Sequence, residues 1–231
     1  MNLALATQHA RARCFLLNRY CENRTTMRIP TWLIVAFSVA FPVATMAAEG
    51  NPAAGKAKAE AAGCFACHGV DGLATEDGLA TDKNLPNLDA EPDLYLQFQL
   101  VFFRTGVRKN EVMNAIAEQL SNDDLRNLSA YFASLPAPNL PAPPDTAPEE
   151  TELGGKLAQA IRCTNCHGDH LEGVDNIARL AGQREDAVYK ALRDFKSGAR
   201  TATGAAGMAE AVYPLGDTEM KALAHYVSRL H

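Results

Sequence analysis

The sequence predicts an all-α protein built from two copies of one helical unit, and three observations support this prediction. Apolar residues recur every three or four positions, no stretch after residue 48 alternates as a strand would, and blocks of residues recur at fixed offsets. The chain has 231 residues, 47% hydrophobic and 21% charged, which excludes a disordered or fibrous protein. Its net charge of −5 argues against nucleic acid as a partner, because general binding needs a basic surface.

The N-terminal segment has the layout of a secretory leader. Arg28 precedes an apolar run at residues 32–43, and small residues follow up to Ala48. A membrane helix needs about 20 apolar residues, so a permanent anchor is the weaker interpretation. We expect cleavage after Ala47 or Ala48 and export to the periplasm. Met27 lies where such a leader would normally begin, so the true start is either Met1 or Met27.

Removal of the leader leaves a distinctly acidic chain. Residues 1–48 hold Cys14 and Cys21, to which we assign no function, and carry five arginines and one glutamate, so the remainder has a net charge of −9. Of this, residues 49–135 contribute −6, residues 136–152 contribute −4, and residues 153–231 contribute +1. Two explanations stay open, namely steering of the acidic end toward a basic partner and ordinary solubility.

The first unit opens and closes with helix signals. Asn51 is a capping residue followed by Pro52 at the first helical position. Ser121 begins the last helix, with acidic residues in its first turn. An apolar stripe then recurs every three or four residues, at Leu125, Leu128, Phe132 and Leu135, and its counterpart in the second unit is Met220, Leu223, Val227 and Leu230.

A proline-rich strip separates the two units. Residues 136–148 hold six of the twelve prolines, and proline lacks an amide donor and fixes φ. We expect an extended, semi-rigid linker over residues 136–152. This predicts one domain at residues 49–135 and a second at residues 153–231.

The two predicted domains are copies of each other. The offset between matching residues is 99, 92 or 95 in three successive blocks and changes only between blocks, as expected when loops vary in length and helices do not. Matching pairs at these offsets include Cys64/Cys163, Cys67/Cys166, His68/His167, Leu88/Leu180, Gly106/Gly198, Met113/Met208 and Tyr131/Tyr226.

The motif C-x-x-C-H occurs in both copies and points to covalent haem. Two cysteines three residues apart on one turn can form thioethers to a haem, and the following histidine then binds the iron. Three alternatives are weaker. A redox dithiol normally lies between a strand and a helix, and that context is missing here. A tetrahedral zinc site needs four ligands, and each unit offers only three nearby. A structural disulfide does not explain why a histidine follows both cysteine pairs. The predicted groups are Cys64, Cys67 and His68, and Cys163, Cys166 and His167.

The second axial ligand of each iron is predicted by elimination among the methionines. Beyond the leader these are Met113, Met208 and Met220. Met113 and Met208 match in the repeat, and both fall in glycine-rich or polar segments that we expect to be loops. Met220 lies on the apolar stripe and is predicted to be core. His/Met ligation fills both axial positions and raises the reduction potential.

Three further histidines and two repeat-matched arginines lie outside the predicted ligand sets. His170, His225 and His231 have no matching histidine in the first unit, so we expect them on the surface or on a helix face. Arg108 and Arg200 each follow a matching glycine by two residues. For these arginines two interpretations stay open, pairing with a haem propionate or solvation.

Several segments resemble class I cytochrome c domains. They are CHGVDG (67–72), LPNL (85–88), FRTGVRKNEVM (103–113), AYFASL (130–135), LAGQ (180–183) and FKSGAR (195–200). Two such domains in tandem resemble the di-haem cytochrome c4 family over nearly all of residues 49–231. The resemblance implies two small helical bundles, each wrapped around one covalent haem c, in a periplasmic electron carrier.

The resemblance also implies roles for individual residues. Pro86 matches a loop proline whose carbonyl accepts a hydrogen bond from the proximal histidine, and Ala178 stands there in the second unit. Gly55 and Gly155 resemble the small residues at which the first and last helices cross.

Three functions remain to be separated. The first is a carrier, soluble or loosely membrane-associated, between a respiratory complex or dehydrogenase and a terminal oxidase. The second is an electron-transfer subunit of a sulfide, thiosulfate or alcohol dehydrogenase. The third, an enzyme that turns over peroxide, needs a vacant iron site, and the paired methionines argue against it.

Overall fold

The computed structural model describes residues 49–74, 84–137, 144–202 and 204–231. The predicted leader and cleavage site, and part of the predicted linker, lie outside the described residues. Across the described ranges, no helix is both long enough and apolar enough to cross a bilayer.

Regular structure in the described ranges is α-helical, without strands, which confirms the predicted fold class. The first half contains α1 (Pro52–Ala61), α2 (Phe65–His68), α3 (Asp93–Arg104), α4 (Glu111–Ala117) and α5 (Asn122–Ala133). The second half repeats this order with α6 (Pro148–Ile161), α7 (Thr164–His167), α8 (Glu185–Ser197), α9 (Ala205–Val212) and α10 (Asp217–Val227).

The helix starts follow the predicted capping signals. The side chain of Asn51 accepts a hydrogen bond from the backbone N–H of Ala54, and Pro52 is the first residue of α1. Ser121 and Asp124 form a reciprocal capping box at the start of α5. These side chains satisfy amide groups that the first helical turn leaves without partners.

Each half packs its first helix against its last. α1 crosses α5 in the first half, and α6 crosses α10 in the second. The apolar stripes are buried as predicted, with Leu125, Leu128 and Phe132 in one core and Met220, Leu223 and Val227 in the other. Met220 is therefore a core residue. The shared arrangement confirms that the two halves are structural copies.

Glycine allows the helix crossing in both halves, but the prediction at Gly155 is wrong. A Cβ atom on Gly55 would lie 1.9 Å from the carbonyl oxygen of Asn127. In the second half the equivalent residue is Gly154, where a Cβ would lie 2.1 Å from the carbonyl oxygen of Ala222. At Gly155 a Cβ would meet nothing nearer than the Tyr226 ring, at 3.3 Å.

The second half begins earlier than the predicted bounds. Residues 148–152, assigned to the linker by sequence, form the first turns of α6. Pro148 is its first residue, and Glu149 and Glu150 follow in the turn where acidic side chains favour the helix dipole. The proline that ends the predicted extended strip therefore starts this helix.

The end of the linker is attached to the last helix through His225. His225 lies on a helix, one of the two expected positions, but on the buried face of α10 with only 4% exposure, whereas His170 and His231 are exposed at the surface. Nδ1 of His225 lies 2.9 Å from Glu185 Oε2, and its Nε2 lies 3.2 Å from Asp145 Oδ1. Burial lowers the pKa of His225, but the hydrogen bonds to Glu185 and Asp145 outweigh it and raise the pKa above the ordinary value.

The two neighbouring glycines of α6 provide a matched test of the helix crossing. We expect Gly154→Ala to lower the free energy of unfolding by about 1–3 kcal/mol, because the new methyl group overlaps backbone of α10. Gly155→Ala should stay within about 1 kcal/mol of the wild type, since alanine favours a helix interior. Guanidinium unfolding of the haem-loaded protein, followed by circular dichroism, measures both. Equal losses of stability in the two variants would contradict the assignment of Gly154 as the glycine at the helix crossing.

Candidate haem sites

The two C-x-x-C-H motifs form one-turn helices of matching geometry. Cys64 precedes α2 and Cys163 precedes α7, and each helix ends at its histidine. The glycines that follow have φ angles of 67° and 89°, which favour glycine over other residues. At Gly69 a Cβ would also lie 2.4 Å from the carbonyl oxygen of Leu73. The chain therefore turns sharply after each histidine.

A loop carbonyl fixes each histidine ring. Nδ1 of His68 lies 3.1 Å from the carbonyl oxygen of Pro86, and Nδ1 of His167 lies 2.7 Å from that of Ala178. A carbonyl can only accept, so Nδ1 carries the proton and Nε2 presents its lone pair to a metal. The expected role of Pro86 is confirmed, and Ala178 performs it equally because any residue supplies a carbonyl.

Burial favours the neutral form of both imidazoles. Each histidine is 7% exposed. Burial lowers the pKa of His68 and of His167 below the ordinary value, and the hydrogen bonds to the loop carbonyls oppose this shift. A neutral imidazole with a fixed tautomer is the form that binds iron.

Cys64, Cys67, Cys163 and Cys166 form no disulfide with one another. Cys64 and Cys163 pack against the apolar cores of their halves, and burial raises the pKa of both thiols. Within the ranges described, the group of histidine, cysteine and acidic side chains close enough to share a metal ion is Glu150, Glu185 and His225, which contains none of these cysteines. The structure thus argues against the disulfide and the zinc alternatives.

The two repeat-matched methionines lie on short helices, not in loops as expected. Met113 is in the first turn of α4, and Met208 is in α9, packed against the second core. Asn110 caps α4, because its side chain accepts a hydrogen bond from the backbone N–H of Met113 at 2.9 Å. Gly204 directly precedes α9, which has no side-chain cap. Both methionines are half-buried.

Asn114 also supports Met113, and sequence reasoning missed it. Its Oδ1 accepts from the backbone N–H of Asn110 at 2.7 Å, and its Nδ2 donates to the carbonyl of Arg108 at 2.9 Å. The two asparagines therefore hold the turn before Met113 from both sides. The sequence signal of Asn110 followed by Glu111 marks the start of α4 but does not point to Asn114.

Arg108 and Arg200 face each other where the two halves meet. Their backbones form an isolated antiparallel bridge. Both side chains donate to Gln99 Oε1, at 2.7 Å from Arg108 and 2.9 Å from Arg200. Burial and then the charge of Arg200 lower the pKa of Arg108 to about 10. Because both side chains are held by Gln99 and Arg108 is partly buried, simple solvation of the two arginines is excluded.

Both halves of the chain match known proteins. The family model described as cytochrome c matches residues 52–136 and again residues 151–231. Cytochrome c4 of Pseudomonas aeruginosa is 33% identical over 190 residues, which cover 80% of this chain and 90% of the relative. A thiosulfate dehydrogenase electron acceptor of Thiomonas intermedia is 30% identical over 176 residues, 73% of this chain and 79% of the relative.

A solved structure gives the same result. The crystal structure of reduced recombinant cytochrome c4 from Pseudomonas stutzeri matches with a TM-score of 0.66 at 32% identity, over 79% of this chain and 100% of that one. The chain therefore belongs to the cytochrome c family, where its tandem halves place it with the di-haem cytochromes c4. It binds two covalent haem c groups and acts as an electron carrier.

The haem count tests the cysteine assignment. The protein should carry two covalent haems per chain, measured by the pyridine haemochrome assay against protein concentration. Cys64→Ala combined with Cys67→Ala should leave one, because both thioethers of the first half are lost. The matched pair Cys163→Ala and Cys166→Ala should also leave one. Retention of two haems in either double variant would contradict the assignment.

Proposed function

We propose that this chain is a periplasmic carrier that moves single electrons from a respiratory complex or dehydrogenase to a terminal oxidase. The observation that supports this role is the pair of buried C-x-x-C-H histidines, each fixed at Nδ1 by a loop carbonyl. A ligand that does not reorient lets an iron change oxidation state with little movement of the protein. A terminal oxidase that accepts electrons from the reduced protein would test this role, and failure with every oxidase of the source organism would contradict it.

We assign the haem-binding residues in matched sets. The thioether residues are Cys64, Cys67, Cys163 and Cys166, and the axial ligands are His68 with Met113 and His167 with Met208. A bound haem c supplies an iron that changes its charge by one electron. The histidines and methionines fix its ligand field, and two filled axial positions exclude oxygen and peroxide from the metal.

We propose that the paired arginines bind haem propionates. Across the ranges described, Arg108 and Arg200 form no ion pair with a carboxylate. Each guanidinium instead lies over a phenylalanine ring, with 4.6 Å between the guanidinium carbon and the centroid of Phe103 or Phe195. Two like charges at one interface favour anions, and the propionates of a bound haem are suitable partners.

A second candidate role is the electron acceptor of a thiosulfate dehydrogenase. The likeness to the Thiomonas intermedia electron acceptor favours it, since that relative matches over most of both chains. A stable complex with a dehydrogenase, retained through size-exclusion chromatography of the native extract, would support this second role. A protein that elutes free and reduces a terminal oxidase directly would support the first.

Alanine variants of the methionines test the axial sets. Met113→Ala and Met208→Ala should each remove half of the methionine–iron charge-transfer absorption and lower one of the two reduction potentials, because a thioether favours the reduced iron. Met220→Leu is the control, since Met220 lies in the second core and should leave both features unchanged. A weaker band in the control, or a band of full intensity in both alanine variants, would contradict the ligand assignment.

Exposed glutamates near the ends of two matching helices test electrostatic steering. Glu118 directly follows α4 in the acidic half, and Glu210 lies near the end of α9 in the nearly neutral half. The rate of electron transfer to a basic redox partner should fall as ionic strength rises. Glu118→Gln should weaken this dependence more than Glu210→Gln does. A rate that does not depend on salt would leave solubility as the explanation of the charge.

A further inference from the structure

The peptide group that holds each proximal histidine also donates a hydrogen bond into the other half. The Pro86 carbonyl accepts from His68, and the N–H of the same peptide, on Asn87, donates to Gln183 Oε1 at 2.7 Å. The Ala178 carbonyl accepts from His167, and the N–H of that peptide, on Arg179, donates to Glu91 Oε2 at 2.9 Å. Each histidine is thus linked to a side chain of the opposite half.

The two links are equivalent in the repeat but differ in charge. The offset of 92 residues carries Asn87 onto Arg179 and Glu91 onto Gln183. The acceptor for the first half is therefore a neutral amide, and the acceptor for the second half is a carboxyl group. The two acceptors also touch each other, because Gln183 Nε2 lies 3.4 Å from Glu91 Oε1. The hydrogen bonds continue from one histidine to the other.

A charged acceptor polarises the whole peptide group. Hydrogen bonds to an ionised group are about twice as strong as those between neutral groups, and bonds in series strengthen one another. Negative charge on Glu91 makes the Ala178 carbonyl a stronger acceptor, so Nδ1 of His167 shares its proton more fully. A more electron-rich imidazole stabilises ferric iron relative to ferrous iron.

We propose that Glu91, in the first half, sets the reduction potential of the haem in the second half through the Ala178–Arg179 peptide. Glu91 is a positioning residue that acts through His167, and Gln183 is its neutral counterpart for the first haem. This inference rests on the axial sets proposed above.

The surroundings of Glu91 couple this effect to pH. Glu91 is 4% exposed. Burial raises its pKa to about 8, although hydrogen bonds from Arg179 and Gln183 and the charge of Arg179 oppose the shift. The other ionisable neighbour is Asp89, whose pKa burial raises to about 6. Between pH 6.5 and 9, Glu91 therefore changes charge while Asp89 is already mostly ionised.

The sign of the coupling follows from charge. One electron from the redox donor reduces the second haem, and up to one proton from water then binds Glu91, because an added negative charge nearby favours the protonated carboxyl group. Ionisation of Glu91 at higher pH favours the oxidised haem in return. The potential of the second haem should therefore fall as pH rises through about 8.

The test measures both potentials at pH 6.5 and pH 9, with haem methyl resonances in NMR spectra used to separate the two haems. In the wild type the second potential should fall clearly more than the first. Glu91→Gln, which keeps the shape of the side chain, should abolish this excess fall and leave the second potential near its pH 6.5 value. The proposal is overturned if the second potential still shows the excess fall in Glu91→Gln. It is also overturned if both potentials fall equally with pH in the wild type.

Two further variants separate a hydrogen-bond effect from simple charge. Asp89→Asn removes a buried charge whose oxygens have no hydrogen-bond partner among the described residues, so it should leave the excess fall in place. If it abolishes the fall as Glu91→Gln does, charge alone is responsible and the proposal fails. Gln183→Glu should lower the first potential at pH 9, and an unchanged first potential would count against the peptide route.

The spectra keep this failure distinct from that of the axial assignment. The wild type and Glu91→Gln should both show two low-spin haems with the full methionine–iron band. Absence of that band in the wild type would contradict the proposed ligands, whatever the effect of Glu91. A full band with no effect of Glu91 would overturn the present proposal alone.

Discussion

The hydrogen bond from Nδ1 of each C-x-x-C-H histidine to a loop carbonyl is the contact on which the other features of both halves depend. It selects the tautomer, orients the ring and leaves Nε2 for a metal. The same bond anchors the loops at Pro86 and Ala178, and these loops bring the two halves together. Haem ligation and domain contact therefore rely on the same two peptide groups.

Duplication gave the chain two similar sites, and the interface makes them different. Positions related by the repeat meet across it, as Arg108 meets Arg200 and Glu91 meets Gln183. Residues that would be equivalent in two separate domains thus act on each other in the tandem chain. A substitution at one copy, such as carboxyl for amide, can adjust one haem without altering the ligands of either.

The sequence predicted what lies close together along the chain and missed what depends on distant partners. The spacing of C-x-x-C-H and the helix caps are local, so both were predictable. Burial of His225 was not, because its partners Glu185 and Asp145 lie 40 and 80 residues away. The glycine of the second helix crossing was misplaced by one residue, since counting back from the cysteine cannot show which face of a helix meets its neighbour.

Asp145 is attached to the C-terminal part of the second half, because its carboxylate contacts His225 and lies 4.0 Å from Arg229. This attachment limits how far apart the two halves can move. The chain between Leu135 and Asp145 can span at most about 35 Å, at about 3.3–3.6 Å per residue. Two domains confined this closely meet at an effective concentration of about a millimolar. Contacts between the two halves then survive dilution better than the same contacts between separate molecules would. The short connection therefore helps to hold the two halves together.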